Sequence, residues 1–177
     1  RCSLWQHNVL CRYKISKNDL LPFLPIAKEQ ILNTNLEVLP ITKFINYNPQ
    51  DNYYFAKENS NFQVNPDGRS EGTYTKYSSL DDKFDGFHYY TWFIKTGRGR
   101  ATEDAGIEVR NKIISREEAT SLVKKYDGEF PQKYFKDFLS HTNLDEKNFF
   151  KIIDKFRSPH LWDKINGKWV LKKAVWK

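Results

Sequence analysis

Helix-capping residues followed by apolar residues at helical spacing recur along the sequence from residue 79 onward. Such a cap is a Ser, Thr or Asn whose side chain accepts a backbone N–H at the start of a helix, with acidic residues favoured in the next turn. Gly97 and Gly128 stand where helices are expected to end, Pro131 where one opens, and Asn166-Gly167 is typical of a tight hairpin turn. Residues 79–177 are therefore predicted to form a helical bundle that ends in a short hairpin. The predicted caps are Ser79, Thr102, Ser115 with Glu118, and Asn143 with Glu146.

The first 60 residues show a different order of elements. The pattern predicts a helix over residues 25–33, an edge strand over residues 36–46, and a short helix that Asn48 caps and Pro49 opens. We interpret residues 1–60 as the remnant of an α/β nucleotide-binding domain. Residues 61–78, rich in Gly, Asn, Ser and Thr, are predicted to be a connecting loop. The predicted fold class is mainly α, with a helical domain over residues 79–177 preceded by the tail of an α/β layer.

Net charge and cysteine content limit the classes of partner. The net charge of +7 favours anionic partners such as nucleotides, phosphates, acidic sugars or nucleic acid. No apolar run approaches the roughly 18 residues of a membrane span, so we expect a cytoplasmic protein with no membrane partner. Cys2 and Cys11 lack the close spacing of zinc ligands and are expected to be free thiols. Because the chain begins at Arg1 and contains no Met, we expect it to be a piece of a longer protein.

The stretch "TGRGRATEDAG" places two glycines and two arginines directly before a predicted helix. It is neither a dinucleotide-binding fingerprint, because Thr102 stands where the third glycine belongs, nor a G-x-x-x-x-G-K-[ST] phosphate loop. One interpretation is a turn between two helices with solvated arginines. The other is an anion contact, since backbone N–H groups at a helix N-terminus favour an anion and Arg98 and Arg100 would add charged donors. The pattern alone leaves both open.

The stretch "SSLDDKFDGFH" concentrates carboxylates and a histidine at the start of a predicted helix. In a helix beginning at Leu80, Asp81, Asp85 and His88 would fall on neighbouring turns, where they would suit metal binding or acid–base chemistry. The alternative is that the carboxylates only stabilise the helix N-terminus. The spacing favours this second interpretation, and we predict no metal site.

Several long motifs in a fixed order resemble the N-acetyl sugar amidotransferases, the PseA- and WbpG-like proteins of bacterial surface-sugar biosynthesis. The motifs are "SEGTYTKYSSLDDKFDGFHYY", "GRGRATEDAGIEVRN", "SREEATSLVKKYDGEFPQKYFKDFL" and "FRSPHLW". The resemblance is close over residues 70–170, loose before them, and corresponds to the C-terminal half of the family.

The resemblance implies an ATP pyrophosphatase of the PP-loop type that converts an acetamido group to acetamidino. It implies ATP and Mg²⁺ as cofactors, an acidic or nucleotide-linked N-acetyl sugar such as one of the pseudaminic acid type, and a glutaminase partner that supplies ammonia. The family's S-G-G-x-D-S loop and paired cysteines are missing from this sequence. We therefore expect ATP to be bound mainly by the N-terminal half, and these 177 residues to be inactive alone.

The resemblance also suggests binding residues for substrate or pyrophosphate, without catalytic roles. Arg98 and Arg100 suit pyrophosphate or an acidic substrate, and His88 suits a proton or a sugar hydroxyl. The alternative function, of another class, is a basic helical module that binds nucleic acid without sequence specificity through Lys, Arg and aromatic residues. The candidate residues are Glu71, Thr73, Tyr74, Asp81, Asp82, Lys83, His88, Arg98, Arg100 and Asp104.

Overall fold

The computed structural model describes residues 15–177, which divide into a unit that ends at Asn46 and a second unit, Tyr47–Lys177. Cys2 and Cys11 lie outside the described residues. The described part is mainly helical and carries one two-stranded antiparallel sheet, as the sequence predicted. Within residues 15–177, no helix combines the length and apolar character that a bilayer crossing requires.

The described part of the first unit contains two short α-helices and two 3₁₀ turns. Helix α1 is Lys17–Leu20 and α2 is Lys28–Leu32, a shorter form of the helix predicted over residues 25–33. The strand predicted over residues 36–46 is wrong, because this stretch contains a 3₁₀ turn at Ile41–Lys43 that follows Pro40. A strand needs a neighbour to satisfy its backbone N–H and C=O groups, and residues 15–60 contain no other strand to supply one.

The second unit contains six helices and the hairpin. Asn48 caps the first of these helices through the backbone N–H groups of Gln50 and Asp51, with Pro49 opening it as predicted. The elements are α3 (Pro49–Asn59), α4 (Asp85–Thr96), α5 (Arg100–Arg110), α6 (Arg116–Tyr126), α7 (Phe135–Thr142), α8 (Glu146–Asp154), β1 (Trp162–Ile165) and β2 (Lys168–Leu171). Residues 61–78 join α3 to the bundle without helix or strand.

Three predicted boundaries of the bundle are confirmed. Gly97 ends α4 in the left-handed region at φ 71°, and Ser115 with Glu118 forms the capping box of α6. Asn166 and Gly167 both have positive φ, 48° and 77°, as a type I′ turn between β1 and β2 requires.

Four predicted helix starts are wrong. Ser79 has a positive φ of 57°, and α4 begins six residues later, at Asp85, after Asp82 accepts the N–H of Phe84. Thr102 lies inside α5 rather than before it. Pro131 is buried, and α7 begins four residues after it, at Phe135. Asn143 ends α7 in the left-handed region, and Asp145 caps α8.

The core of the second unit consists of three apolar clusters. The largest packs α4, α7 and α8 together through Phe87, Ile94, Phe135, Phe149 and Ile153. The second seats the hairpin on α4, and the indole N–H of Trp162 donates to the carbonyl of Ile94 over 2.8 Å. In the third, Ala105 on α5 packs against Ala119 and Val123 on α6. This last cluster fixes α5, from which the polar residues of the candidate site project.

Candidate functional site

An open cleft of about 460 Å³ lies within the second unit, between α3, the end of the connecting loop and the first turns of α5. It has an aromatic and apolar wall and a polar wall. The apolar lining comes from Tyr47, Pro49, Tyr53, Ala56, Phe62, Tyr77 and Ile107, and the polar lining from Asn52, Ser78, Ser79, Arg100, Glu103 and Asp104.

Two stacked tyrosines form the centre of the aromatic wall. The rings of Tyr53 on α3 and Tyr77 in the loop are 4.9 Å apart and 13° from parallel, and Phe62 meets Tyr53 edge-on at 6.1 Å. Burial, together with the charges of Glu108 and Asp104, raises the pKa of Tyr77 to about 12. Its hydroxyl therefore stays protonated and neutral at physiological pH.

Arg100 projects from the first turn of α5 into the polar wall. Its Nε donates to Asp104 Oδ1 over 2.8 Å and its Nη2 to Ser78 Oγ over 3.4 Å, while the guanidinium lies 5.6 Å from the Tyr89 ring centre. Burial works to lower the pKa of Arg100, but the charge and hydrogen bond of Asp104 raise it above the ordinary value. The guanidinium is therefore a permanent cation, with Nη1 making no hydrogen bond to any residue in 15–177.

A buried chain of hydroxyls holds Asp104 in place from the other side. Thr73 is completely buried and donates from Oγ1 to Asp104 Oδ2 over 3.0 Å. The backbone N–H of Thr75 donates to Thr73 Oγ1, and the hydroxyl oxygens of Thr73 and Thr75 are 3.2 Å apart. The hydroxyl oxygen of Thr75 is in turn 2.8 Å from Ser78 Oγ. Both oxygens of Asp104 thus have donors, and the network closes back on Arg100. Of the predicted site residues, Thr73, Arg100 and Asp104 are brought into direct contact.

Tyr74 and Glu71 contact other parts of the second unit. The Tyr74 hydroxyl donates to Glu108 Oε2 on α5 over 2.9 Å, and burial followed by the bond to Glu108 raises the pKa of Tyr74. Burial likewise raises the pKa of Glu108, which the Tyr74 bond partly offsets. Glu71 accepts the backbone N–H of Lys133 over 2.9 Å. Both residues anchor the connecting loop to the bundle, and neither lines the cleft.

The N-terminus of α5, where the sequence pattern offered free N–H groups to an anion, is occupied by Asp127. The carboxylate of Asp127 accepts the backbone N–H of Gly99 over 2.9 Å and that of Thr102 over 3.2 Å, as well as the Thr102 hydroxyl. A Cβ on Gly99 would lie 2.5 Å from Asp127 Oδ1, so this approach requires glycine. Burial raises the pKa of Asp127, and the three donors oppose that shift. The protein thus supplies its own anion at this position.

The remaining predicted residues lie on the surface and do not line the cleft. Arg98 and Asp81 are exposed, and Asp82 forms the turn before α4. Lys83 pairs with Asp137 over 2.8 Å. His88 lies on the outer face of α4, near Trp92 at a ring distance of 6.1 Å. Since Asp81 lies outside α4, the predicted grouping of Asp81, Asp85 and His88 on successive helical turns is not formed.

Several residues of the cleft and its surroundings were not predicted as site residues. Tyr53 lies outside the family motifs. Tyr77, Ser78 and Glu103 lie inside them without a spacing that indicates a chemical role, and Glu103 is typical of any helix start. Asp127 follows α6, 25 positions after Thr102. The one available hint is the density of aromatic residues around Tyr53 and Tyr77, which sequence reasoning attributes equally well to a core.

The lining of this cleft does not suit a nucleoside triphosphate. The charged residues that line the cleft are one cation, Arg100, and two anions, Glu103 and Asp104, so the lining carries one net negative charge. The sequence has no glycine-rich phosphate loop, and no group of three or more potential metal ligands occurs within residues 15–177. We therefore assign no step involving ATP or Mg²⁺ to this cleft.

Comparison with protein families agrees with the motifs. The family model described as "LPS biosynthesis protein WbpG-like, C-terminal domain" matches residues 71–175, a range that contains Arg100, Asp104 and Asp127. A comparison with curated proteins found no match. The matched range covers more than half of the chain and begins within the connecting loop, so the chain belongs to the WbpG-like family of LPS biosynthesis proteins through its C-terminal domain.

Proposed function

We propose that this chain provides the sugar-binding cleft of an ATP-dependent amidotransferase that converts the N-acetyl group of a surface-polysaccharide sugar to an acetamidino group. Family membership supports a role in LPS biosynthesis. In the proposed reaction, ammonia from a glutaminase partner supplies the new nitrogen. The amide oxygen leaves with the AMP part of ATP, and pyrophosphate is released. The substrate is either an acidic N-acetyl sugar of the pseudaminic acid type or a nucleotide-linked N-acetyl sugar.

The observation that carries this proposal is the position of Arg100 beside the stacked tyrosines. Aromatic faces suit the apolar face of a sugar ring, and a small number of fixed polar groups orient a ligand in such a cleft. Asp104 and Ser78 hold the guanidinium through Nε and Nη2. Nη1 remains for a carboxylate or phosphate oxygen of the sugar, which would bind through charge-assisted hydrogen bonds.

The test is to replace Arg100 in a protein that also contains the nucleotide-binding half. This protein is assayed with ATP, glutamine and the glutaminase. Arg100→Ala should slow acetamidino-sugar formation by tenfold or more, because a hydrogen bond to a charged group contributes roughly 1.5–3 kcal/mol. Some loss of thermal stability is expected as well, since Asp104 loses its cation.

The matched control is Arg110→Ala, which removes an exposed arginine from the last turn of the same helix. It should leave acetamidino-sugar formation unchanged. Arg100→Lys should recover more of the wild-type melting temperature than of the wild-type activity, because lysine keeps the charge but lacks the planar guanidinium. An Arg100→Ala protein with wild-type turnover would remove the cleft from the reaction.

A further inference from the structure

The charge of the cleft does not match an acidic ligand alone. One cation and two anions line it, and the raised pKa of Tyr77 keeps the hydroxyl of that residue neutral. A ligand that carried only negative charge would meet one attractive and two repulsive groups. The lining is better matched to a ligand that carries both a negative and a positive group.

Glu103 is the carboxylate of the cleft that is available to such a positive group. Asp104 is buried, and its two oxygens accept from Arg100 and Thr73. Glu103 is exposed at the edge of the cleft and forms no ion pair with any residue in 15–177. It lies three positions after Arg100 on α5, so the two side chains project from neighbouring positions on one helix face.

The proposed reaction creates a positive group on the sugar. An acetamido group is neutral, whereas the acetamidino group that replaces it is protonated at neutral pH and has the planar donor geometry of a guanidinium. Planar cations of this type bind carboxylates through paired hydrogen bonds and stack on aromatic faces. Glu103 and the Tyr53–Tyr77 stack present both kinds of partner to the same cleft.

We propose that Glu103, beside the Tyr53–Tyr77 stack, binds the acetamidino group, while Arg100 binds the acidic group of the same sugar. This inference rests on the proposed function, because it assumes that the cleft holds the sugar. Glu103 then acts as a specificity-determining residue that favours the charged acetamidino form over the neutral acetamido form. The contact between Glu103 and the sugar strengthens as the acetamido group becomes a positively charged acetamidino group. Such a contact lowers the activation barrier of the conversion, because it stabilises the transition state more than the bound substrate.

The experiment measures binding of two probes to the full 177-residue chain by calorimetry. The probes are N-acetylneuraminic acid, an acidic sugar with one acetamido group, and the same sugar with acetamidino in place of acetamido. The wild-type chain should bind the acetamidino probe about three- to tenfold more tightly, as a partly exposed charge-assisted contact allows. Glu103→Gln should abolish this preference, because it weakens binding of the acetamidino probe and, by removing a repulsive charge, strengthens binding of N-acetylneuraminic acid.

The matched control is Glu117→Gln, because Glu117 occupies the first turn of α6 as Glu103 occupies the first turn of α5. It should keep the wild-type preference, which separates a cleft contact from a helix-dipole effect. Equal affinity for the two probes in the wild-type chain, or a preference that survives Glu103→Gln, overturns the role of Glu103 and leaves the sugar cleft standing. If neither probe binds, the sugar cleft and the role of Glu103 both fail.

Discussion

At the scale of single residues, the carboxylate of Asp127 satisfies three donors at the N-terminus of α5. The backbone N–H groups of Gly99 and Thr102 and the Thr102 hydroxyl all point at it. Because the site is buried, no solvent would replace a missing acceptor. Asp127→Ala should therefore lower the free energy of unfolding by about 1–3 kcal/mol, the cost of leaving buried donors unpaired.

Urea unfolding of the Asp127→Ala chain measures this effect. The control is Asp137→Ala, which removes an exposed partner of Lys83 and should cost at most about 1 kcal/mol. If both variants unfold at the same urea concentration, the carboxylate does not stabilise the start of α5.

The contacts at the start of α5 include one that the sequence predicts and one that it does not. The glycines and arginines at the start of α5 left open a simple turn or a contact with a ligand anion; the turn is present, and a carboxylate of the protein itself lies at the helix N-terminus. What spacing does not reveal is that the anion is Asp127, because residues far apart in sequence meet only after the third core cluster places α5 against α6. The contact of Arg100 with Asp104, in contrast, follows from their i, i+4 spacing on one helix.

At the scale of elements, the connecting loop is fastened to the bundle by Arg69 and Glu129. The guanidinium of Arg69 donates to both oxygens of Glu129 over 2.6 and 2.7 Å, and the backbone N–H of Gly72 donates to Glu129 over 3.0 Å. The same guanidinium donates to the carbonyl of Thr73 and lies 4.6 Å from the Tyr126 ring centre. These contacts hold the loop that supplies Thr73 to the Arg100 network.

This pair predicts a dependence of stability on pH. Burial works to raise the pKa of Glu129, but the bonds from Arg69 and Gly72 and the charge of Arg69 lower it below the ordinary 4.5. A lowered pKa in the folded chain means that the contribution is fully present above about pH 4.5 and is lost as the pH falls through the folded value. Glu129→Gln should unfold at a lower urea concentration than wild type at pH 7, and the difference should shrink below pH 4.5.

The control for this pH series is Glu117→Gln, which changes an exposed glutamate outside the pair. Its unfolding should follow that of the wild-type chain at every pH. A difference between Glu129→Gln and wild type that stays constant down to pH 3 would show that the ionised carboxylate is not responsible.

Element boundaries were predictable where the signal is local. The Ser115–Glu118 capping box and the Asn166-Gly167 turn depend on residues within four positions of each other, and both are confirmed. The predicted start at Ser79 failed because Asp82 forms a local turn that competes with the helix. The predicted strand over residues 36–46 failed because the pattern of side chains cannot supply a partner strand.

At the scale of the whole molecule, the fold class and the family were predictable from the sequence, and the cleft was not. Amphipathic spacing and caps predict a helical bundle with a terminal hairpin whatever the packing partners are. The cleft joins α3, the end of the loop and α5, so it depends on how a 25-residue stretch without regular secondary structure, residues 60–84, folds back on the bundle. No periodicity encodes that path.

The net charge of +7 is the reason why nucleic-acid binding is the alternative function. The lysines of the hairpin region indicate how strong that binding can be. The densest basic stretch contains Lys168, Lys172, Lys173 and Lys177. Lys172 is already bonded to the Pro159 carbonyl and to Asp163, and Lys177 to the Leu171 carbonyl. Two lysines therefore remain without such bonds, and two phosphate contacts on duplex DNA give a slope of log affinity against log salt of roughly −1.8.

We expect weak, sequence-independent binding of a 20-base-pair DNA duplex at about 0.05 M salt that becomes undetectable near about 0.15 M, because so few phosphate contacts supply little affinity. Fluorescence anisotropy over a salt series measures both affinity and slope. Replacing Lys168 and Lys173 together by Ala should remove the residual low-salt binding, whereas Arg110→Ala should not. Sub-micromolar affinity that persists near 0.15 M salt would favour the nucleic-acid function over the amidotransferase, since it would require a phosphate-binding surface much larger than these two lysines provide.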